Sequence, residues 1–177
     1  DFPVIGYQVS SSANSLVTDS AASGTALACG SKTLNGVLGL DAEGKPLLPA
    51  SRVALQAGKA AGVLTSVTLD HATPAAFYAC VPSRIQYDTI VEQAFQSGLT
   101  VLGGNQTSSK KYSGEALQAL CTGNGWNFVD NAALAALTPA SATDHNLLYF
   151  QLIAASADLD YSPGRQADYQ KLRLADV

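Results

Sequence analysis

The segment Thr18-Asp19-Ser20-Ala21-Ala22-Ser23-Gly24-Thr25-Ala26 constrains this chain more than any other. A hydroxyl stands beside a carboxylate, and small residues follow. Residues 20–30 therefore read as a helix with little side-chain bulk, suited to close packing against a sheet. A helix N-terminus leaves backbone N–H groups unpaired and carries the positive end of the helix dipole, so it favours an anion beside it. Capping is the ordinary use of residues such as Thr18, Asp19 and Ser20 in this position. The sharper reading makes Ser20 a nucleophile whose anionic ester product sits on that site.

Beyond this helix the chain alternates between two periodicities. Residues 1–18 read as an irregular entry, and Gly36 to Pro49 carries turn residues. Ala50 to Ala61 spaces Val53, Leu55, Ala57 and Ala60 among polar residues and reads as a helix stopped by Gly62. Val63 to Leu69 reads as a strand. The pattern repeats with a helix over Tyr87 to Gln96 and a strand over Thr100 to Leu102. A polar loop over Gly104 to Ser113, a helix over Gly114 to Thr122 and a strand over Asn127 to Val129 follow. Asn131 to Leu137 reads as a short helix before Pro139, Asn146 to Ile153 as an apolar strand, and the tail from Ala157 as extended. This alternation predicts an α/β fold around a mostly parallel sheet. The length suits a single domain over residues 1–177.

Composition narrows the partners. Apolar residues make up 47% and charged residues 14%, which fits a globular chain rather than a disordered one. A net charge of −4 argues against non-specific affinity for nucleic acid or anionic membranes, so any phosphate site must be positive locally. No apolar run approaches the roughly 20 residues of a membrane span. The start at Asp1, without methionine, basic n-region or apolar h-region, reads as a processed or excised fragment. The complete lack of methionine has no physical account. Cys29, Cys80 and Cys121 cannot all pair with one another; one bridge in an oxidising compartment and buried free thiols are both open.

Two long motifs give the chain a family likeness. Thr18 to Ala26, continued by Gly30-Ser31-Lys32-Thr33-Leu34-Asn35-Gly36-Val37-Leu38-Gly39-Leu40-Asp41, closely resembles the nucleophile segment of alkaline phosphatases. His71-Ala72-Thr73-Pro74-Ala75-Ala76-Phe77-Tyr78-Ala79, followed by Pro82-Ser83-Arg84, resembles that family's next active-site segment. Thr73 and Arg84 follow Ser20 by 53 and 64 residues, the spacing of the family pattern. Val101-Leu102-Gly103-Gly104-Asn105 is a weaker echo, since the family usually has a third glycine there. The final Leu172 to Val177 looks like the run that precedes the family's second half.

The resemblance implies a metal-dependent phosphomonoesterase working through a phosphoserine intermediate. Ser20 would be the nucleophile and a zinc ligand, because an unassisted serine hydroxyl is a poor nucleophile. In that scheme two metals clamp the attacking and leaving oxygens, and a metal-activated water then hydrolyses the phosphoserine. Arg84, one of four arginines, would bind two phosphate oxygens with paired hydrogen bonds, against the plainer reading of a surface ion pair. Asp19 would orient Arg84, and Ala21 would lie against the phosphate in the first helical turn. Thr73 would be a magnesium ligand through its hydroxyl, consistent with magnesium's preference for oxygen. His71 would support the magnesium site through water, whereas His145 reads as structural. Lys32 and Asn35 would support the loop. Two zinc ions and one magnesium ion are the implied cofactors.

The family's first aspartate ligand falls upstream of the segment matching Asp1, and its later Asp, His and Glu ligands fall downstream of Val177. Two histidines cannot build a site that uses several imidazoles. The expectation is therefore a fragment with little activity of its own. The implied substrates are small phosphate monoesters, the implied location is periplasmic or secreted, and the full-length parent would be a homodimer. Two other readings stand beside this one. The chain is a non-catalytic phosphate-binding module, or it is a metal-independent hydrolase pairing Ser20 with His71 or His145. No Gly-x-Ser-x-Gly elbow supports an esterase-type triad.

Overall fold

The computed structural model describes residues 6–130, 133 and 145–150. Four short strands, β1 (Gly62–Leu64), β2 (Val101–Asn105), β3 (Asn127–Val129) and β4 (Asn146–Phe150), form one sheet. All pairings are parallel, in the order β1-β2-β4-β3. Parallel neighbours need crossover connections. Helices α3 (Ala72–Ala75) and α4 (Tyr87–Phe95) lie on the connection from β1 to its neighbour β2, and α5 (Glu115–Gly123) lies between β2 and β3, which β4 separates in the sheet. Helices α1 (Ser20–Cys29) and α2 (Ala50–Gln56) precede the sheet.

The crossover helices bury one stripe each. Ile90, Val91, Ala94 and Phe95 are the buried residues of α4, and Leu117 and Cys121 those of α5. These join Leu102 and Leu147 of the sheet in one core. Burying each large aliphatic side chain contributes about 1.5–3 kcal/mol. Trp126 closes the layer, its indole N–H donating to the Phe95 carbonyl at 3.2 Å while the two rings meet edge to face at 5.5 Å.

Helix α1 packs by a different rule. Its buried residues are Ala21, Ala22, Gly24, Thr25 and Ala28. A Cβ on Gly24 would lie 3.2 Å from the Ala76 Cβ and 3.3 Å from the Thr73 Cα, so glycine lets the α1 backbone approach α3. The helix ends at Gly30, in the left-handed region at φ 70°, whose N–H bonds to the Ala26 carbonyl at 2.9 Å.

Several expected boundaries move. The second helix ends at Gln56 rather than Ala61, because Gly58, at φ 72°, turns the chain where Gly62 was expected to do so. Gly62 instead opens β1, which stops at Leu64, and residues 65–69 leave the sheet. That segment crosses the end of β2 through bonds from Asn105 N–H to the Val67 carbonyl and from Leu69 N–H to the Gln106 carbonyl. Strand β2 in turn runs three residues, Gly103, Gly104 and Asn105, beyond its expected end. A Cβ on Gly104 would sit 2.8 Å from Thr65 Cγ2 and 3.0 Å from Leu69 Cδ2, so the crossing segment needs that glycine. The expected helix over 131–137, the strand beyond Phe150 and the tail lie outside the described residues.

Candidate active site

Asp19 organises the start of α1. In extended backbone geometry at the N-cap, its carboxylate accepts the Ala22 N–H at 2.9 Å through Oδ1. Oδ2 accepts the Gly36 N–H at 3.0 Å and faces Arg84 Nη1 at 3.4 Å. Burial alone would raise this carboxyl. The N–H groups of Ala22 and Gly36, the guanidinium and, least, the Ala21 N–H outweigh it and hold the carboxyl below its usual range. Ala21 itself is fully buried in the first turn.

The turn at Asn35-Gly36 brackets this arrangement from the other side. Asn35 Oδ1 accepts the Asp19 N–H at 3.1 Å, while its amide donates to the Val17 carbonyl at 3.0 Å. The Arg84 N–H donates to the Gly36 carbonyl at 2.7 Å. One turn therefore ties the helix start to the segment carrying the arginine. Lys32, by contrast, is exposed and reaches Ser11 Oγ at 2.6 Å.

Ser20, the first residue of α1, lies with its Oγ 2.5 Å from Arg84 Nη1, which donates to it. Arg84 Nη2 stands 3.5 Å from His71 Nε2. A guanidinium can only donate, so that contact requires Nε2 to accept and the proton to sit on Nδ1. Burial, and after it the Arg84 charge, lower the His71 imidazole below its usual range against the opposing pull of Asp70, which favours the neutral ring this contact needs. The structure thus brings together Asp19, Ser20, Arg84 and His71. Thr73 is exposed on α3, the helix that His71 caps, with its Cα against Gly24 of α1.

His145 belongs elsewhere. It precedes β4, with Nδ1 2.6 Å from the Leu99 carbonyl and its ring 5.1 Å from that of Trp126. That is the amino end of the parallel strands, while His71 follows the carboxyl end of β1, where α/β sheets place their ligands. A Ser20–His145 pairing is therefore excluded by topology.

Sequence reasoning passed over Asp70. This carboxylate is fully buried and accepts the Ser108 N–H at 2.8 Å on both oxygens and the Ser109 N–H at 2.8 Å. It fixes the backbone immediately before His71 to the loop after β2, and Ser109 Oγ continues to Asp88 Oδ1 at 2.6 Å. The available signal was an acidic residue directly after the expected strand Val63 to Leu69.

The fit to the implied metals is incomplete. Among the described residues no group of three or more His, Cys, Asp or Glu side chains comes together. A structural zinc site takes four protein ligands and a catalytic one three. The described side chains do not assemble such a set for zinc. Ser20 and Thr73 offer hydroxyl oxygens, a donor type suited to magnesium.

An alkaline phosphatase family profile matches residues 1–145. The alkaline phosphatase of Escherichia fergusonii is 34% identical over 151 residues, which cover 70% of this chain and 32% of that protein. Alkaline phosphatase 4 of Bacillus subtilis is 46% identical over 74 residues, 42% of this chain and 16% of that one. Among solved structures, the Thermus thermophilus alkaline phosphatase superposes with a TM-score of 0.68 at 33% identity, over 80% of this chain and 30% of its own. The enzyme of the Antarctic bacterium TAB5 gives 0.66 at 29%, over 81% and 42%. A TAB5 variant described with Mg bound in its M3 site gives 0.65 at 26%, over 81% and 41%. The chain spans less than half the length of each of these proteins. With the family profile covering most of its residues and these structures sharing its fold, the chain belongs to the alkaline phosphatase family.

Proposed function

We propose that this chain supplies the nucleophile and the phosphate-binding arginine of a phosphate monoester hydrolase that works through a phosphoserine. The observation that carries the proposal is the 2.5 Å contact between Ser20 Oγ and Arg84 Nη1 at the N-terminus of α1. A guanidinium binds two phosphate oxygens through parallel N–H groups. A phosphate held by Arg84 would therefore lie beside the Ser20 hydroxyl, at the positive end of a ten-residue helix. Asp19 keeps the guanidinium aimed there, and neutral His71 braces its other nitrogen. In the reaction, Ser20 Oγ bonds to phosphorus as the ester oxygen leaves, and water later releases the phosphate. Family membership points to zinc and magnesium as cofactors, with Thr73 as a residue that would hold magnesium and His71 supporting that site through water. No step is assigned to zinc, because the described residues do not assemble its ligands.

The same reading makes the isolated chain a poor enzyme on small phosphate monoesters, and places the working protein, a homodimer, in the periplasm or outside the cell. No helix among the described residues is long and apolar enough to cross a membrane. A second reading is a non-catalytic phosphate-binding module that keeps the helix-end anion site and Arg84, with no group of three or more potential metal ligands among the described residues. Incubation of the working protein with an aryl phosphate, zinc and magnesium, followed by acid quench and peptide mapping, separates the two. The nucleophile reading expects a phosphoryl group on Ser20 that is absent from Ser20→Ala. Phosphate binding with no covalent adduct would favour the module.

A further inference from the structure

We propose that Cys29 and Cys80 form a dithiol site that closes into a disulfide and staples the nucleophile helix α1 to the segment after α3. The site lies away from Ser20 and does not depend on the phosphate chemistry. Cys29 is the last residue of α1, and Cys80 follows α3 by five positions; both are free and half-buried. Gly39 links the two elements through hydrogen bonds. Cys80 Sγ lies 3.3 Å from the Gly39 carbonyl oxygen, and the Gly39 N–H donates to Thr25 Oγ1 at 3.1 Å. Thr25 is one helical turn before Cys29 and so shares its face of α1. Gly39, at φ 64°, has no room for a side chain, since a Cβ would meet the Ala79 carbonyl oxygen at 2.3 Å and Cys80 Sγ at 2.9 Å. Gly24 also lets α1 approach Ala76 closely.

Burial pushes the Cys29 thiol up to about 11, and the Cys80 thiolate adds to that rise. Burial also pushes Cys80 up, against the pull of Arg52 on α2. Thiolates are scarce at neutral pH in such surroundings, so exchange in the folded chain is slow. The third thiol, Cys121, is fully buried on α5, with its Sγ facing the Trp126 carbonyl at 3.6 Å.

The oxidant is a small-molecule disulfide. One cysteine, as thiolate, attacks it and releases one small thiol, giving a mixed disulfide. The other thiolate attacks the protein sulfur of that mixed disulfide and releases the second small thiol. The protein thus loses two protons and two electrons, and the small disulfide is reduced to two thiols.

The test exposes the 177-residue chain to oxidised glutathione at mildly alkaline pH without denaturant, followed by alkylation and tryptic mapping. Cleavage after Lys32, Lys59, Arg84 and Lys111 puts Cys29 on residues 1–32, Cys80 on 60–84 and Cys121 on the peptide beginning at Tyr112. The expected product is one cross-link between the first two peptides within a single chain. It is lost in Cys29→Ser and Cys80→Ser and kept in Cys121→Ser. The bridge closes a 51-residue separation and should raise Tm by about 5–15 °C, reversed by reduction. Mixed disulfides that never resolve, a link through Cys121, a link between two chains, or thiols left free after prolonged exposure would each overturn the proposal.

Discussion

The segments around Ser20 and Arg84 and the layer formed by residues 87–129 with β4 are stabilised by different means. In the first, α1 buries alanines, a glycine and a threonine, and its position is set by hydrogen bonds among Asp19, Asn35, Gly36 and Arg84. In the second, Ile90, Phe95, Leu102, Leu117, Trp126 and Leu147 interlock as large buried side chains. Small residues contribute little transfer energy but allow backbones to approach, which is how the Ser20 hydroxyl, the Arg84 guanidinium and the His71 imidazole converge within 3.5 Å contacts. The apolar layer supplies stability, and the small-residue layer supplies position.

Substitutions should divide along the same line. The largest stability loss is expected from Leu147→Ala, a fully buried sheet residue. It should cost about 2–5 kcal/mol in urea unfolding and leave phosphate affinity unchanged wherever the chain is folded. A cost below about 1 kcal/mol would mean that the apolar layer does not carry the fold.

Asp19→Ala comes next. Losing the cap should cost about 1–2 kcal/mol and also weaken phosphate binding, because Arg84 loses its guide. The pH dependence follows from the lowered carboxyl. Its folded value lies below the unfolded one, so its contribution is present above the unfolded value of about 3.9 and is lost as pH falls through the folded value. The unfolding midpoints of wild type and Asp19→Asn should therefore converge on acidification. A gap that persists to low pH would remove the charge from the explanation.

Lys111→Ala should have the smallest effect. Its 2.9 Å pair with Glu92 is solvent-exposed, and the unfolding midpoint should not move measurably.

What the sequence revealed follows the same division. The N-cap of α1 is a local signal that pointed to Thr18, Asp19 or Ser20, of which the structure uses Asp19, while Gly30, expected inside the helix, is its C-cap. Strand β3 matched its expected limits because Phe128 and Val129 are ordinary strand residues. The end of β2 was hidden because Gly103 and Gly104 have no strand propensity; their role appears only when residues 65–69 cross them. The expected stop at Gly62 failed because Gly58 turns the chain first, and Gly62 pairs with Val101 in β1. The convergence of Ser20, Arg84 and His71 was legible through the family motifs, whereas the buried Asp70 depended on a partner loop some 38 residues away.

The most direct measurement is a calorimetric titration of the chain with inorganic phosphate, comparing wild type with Arg84→Ala and Ser20→Ala. If Arg84 holds the phosphate beside Ser20, affinity falls at least about tenfold in Arg84→Ala, equivalent to about 1.4 kcal/mol, and largely survives in Ser20→Ala. Equal binding by wild type and Arg84→Ala, or no binding by wild type, would contradict the account.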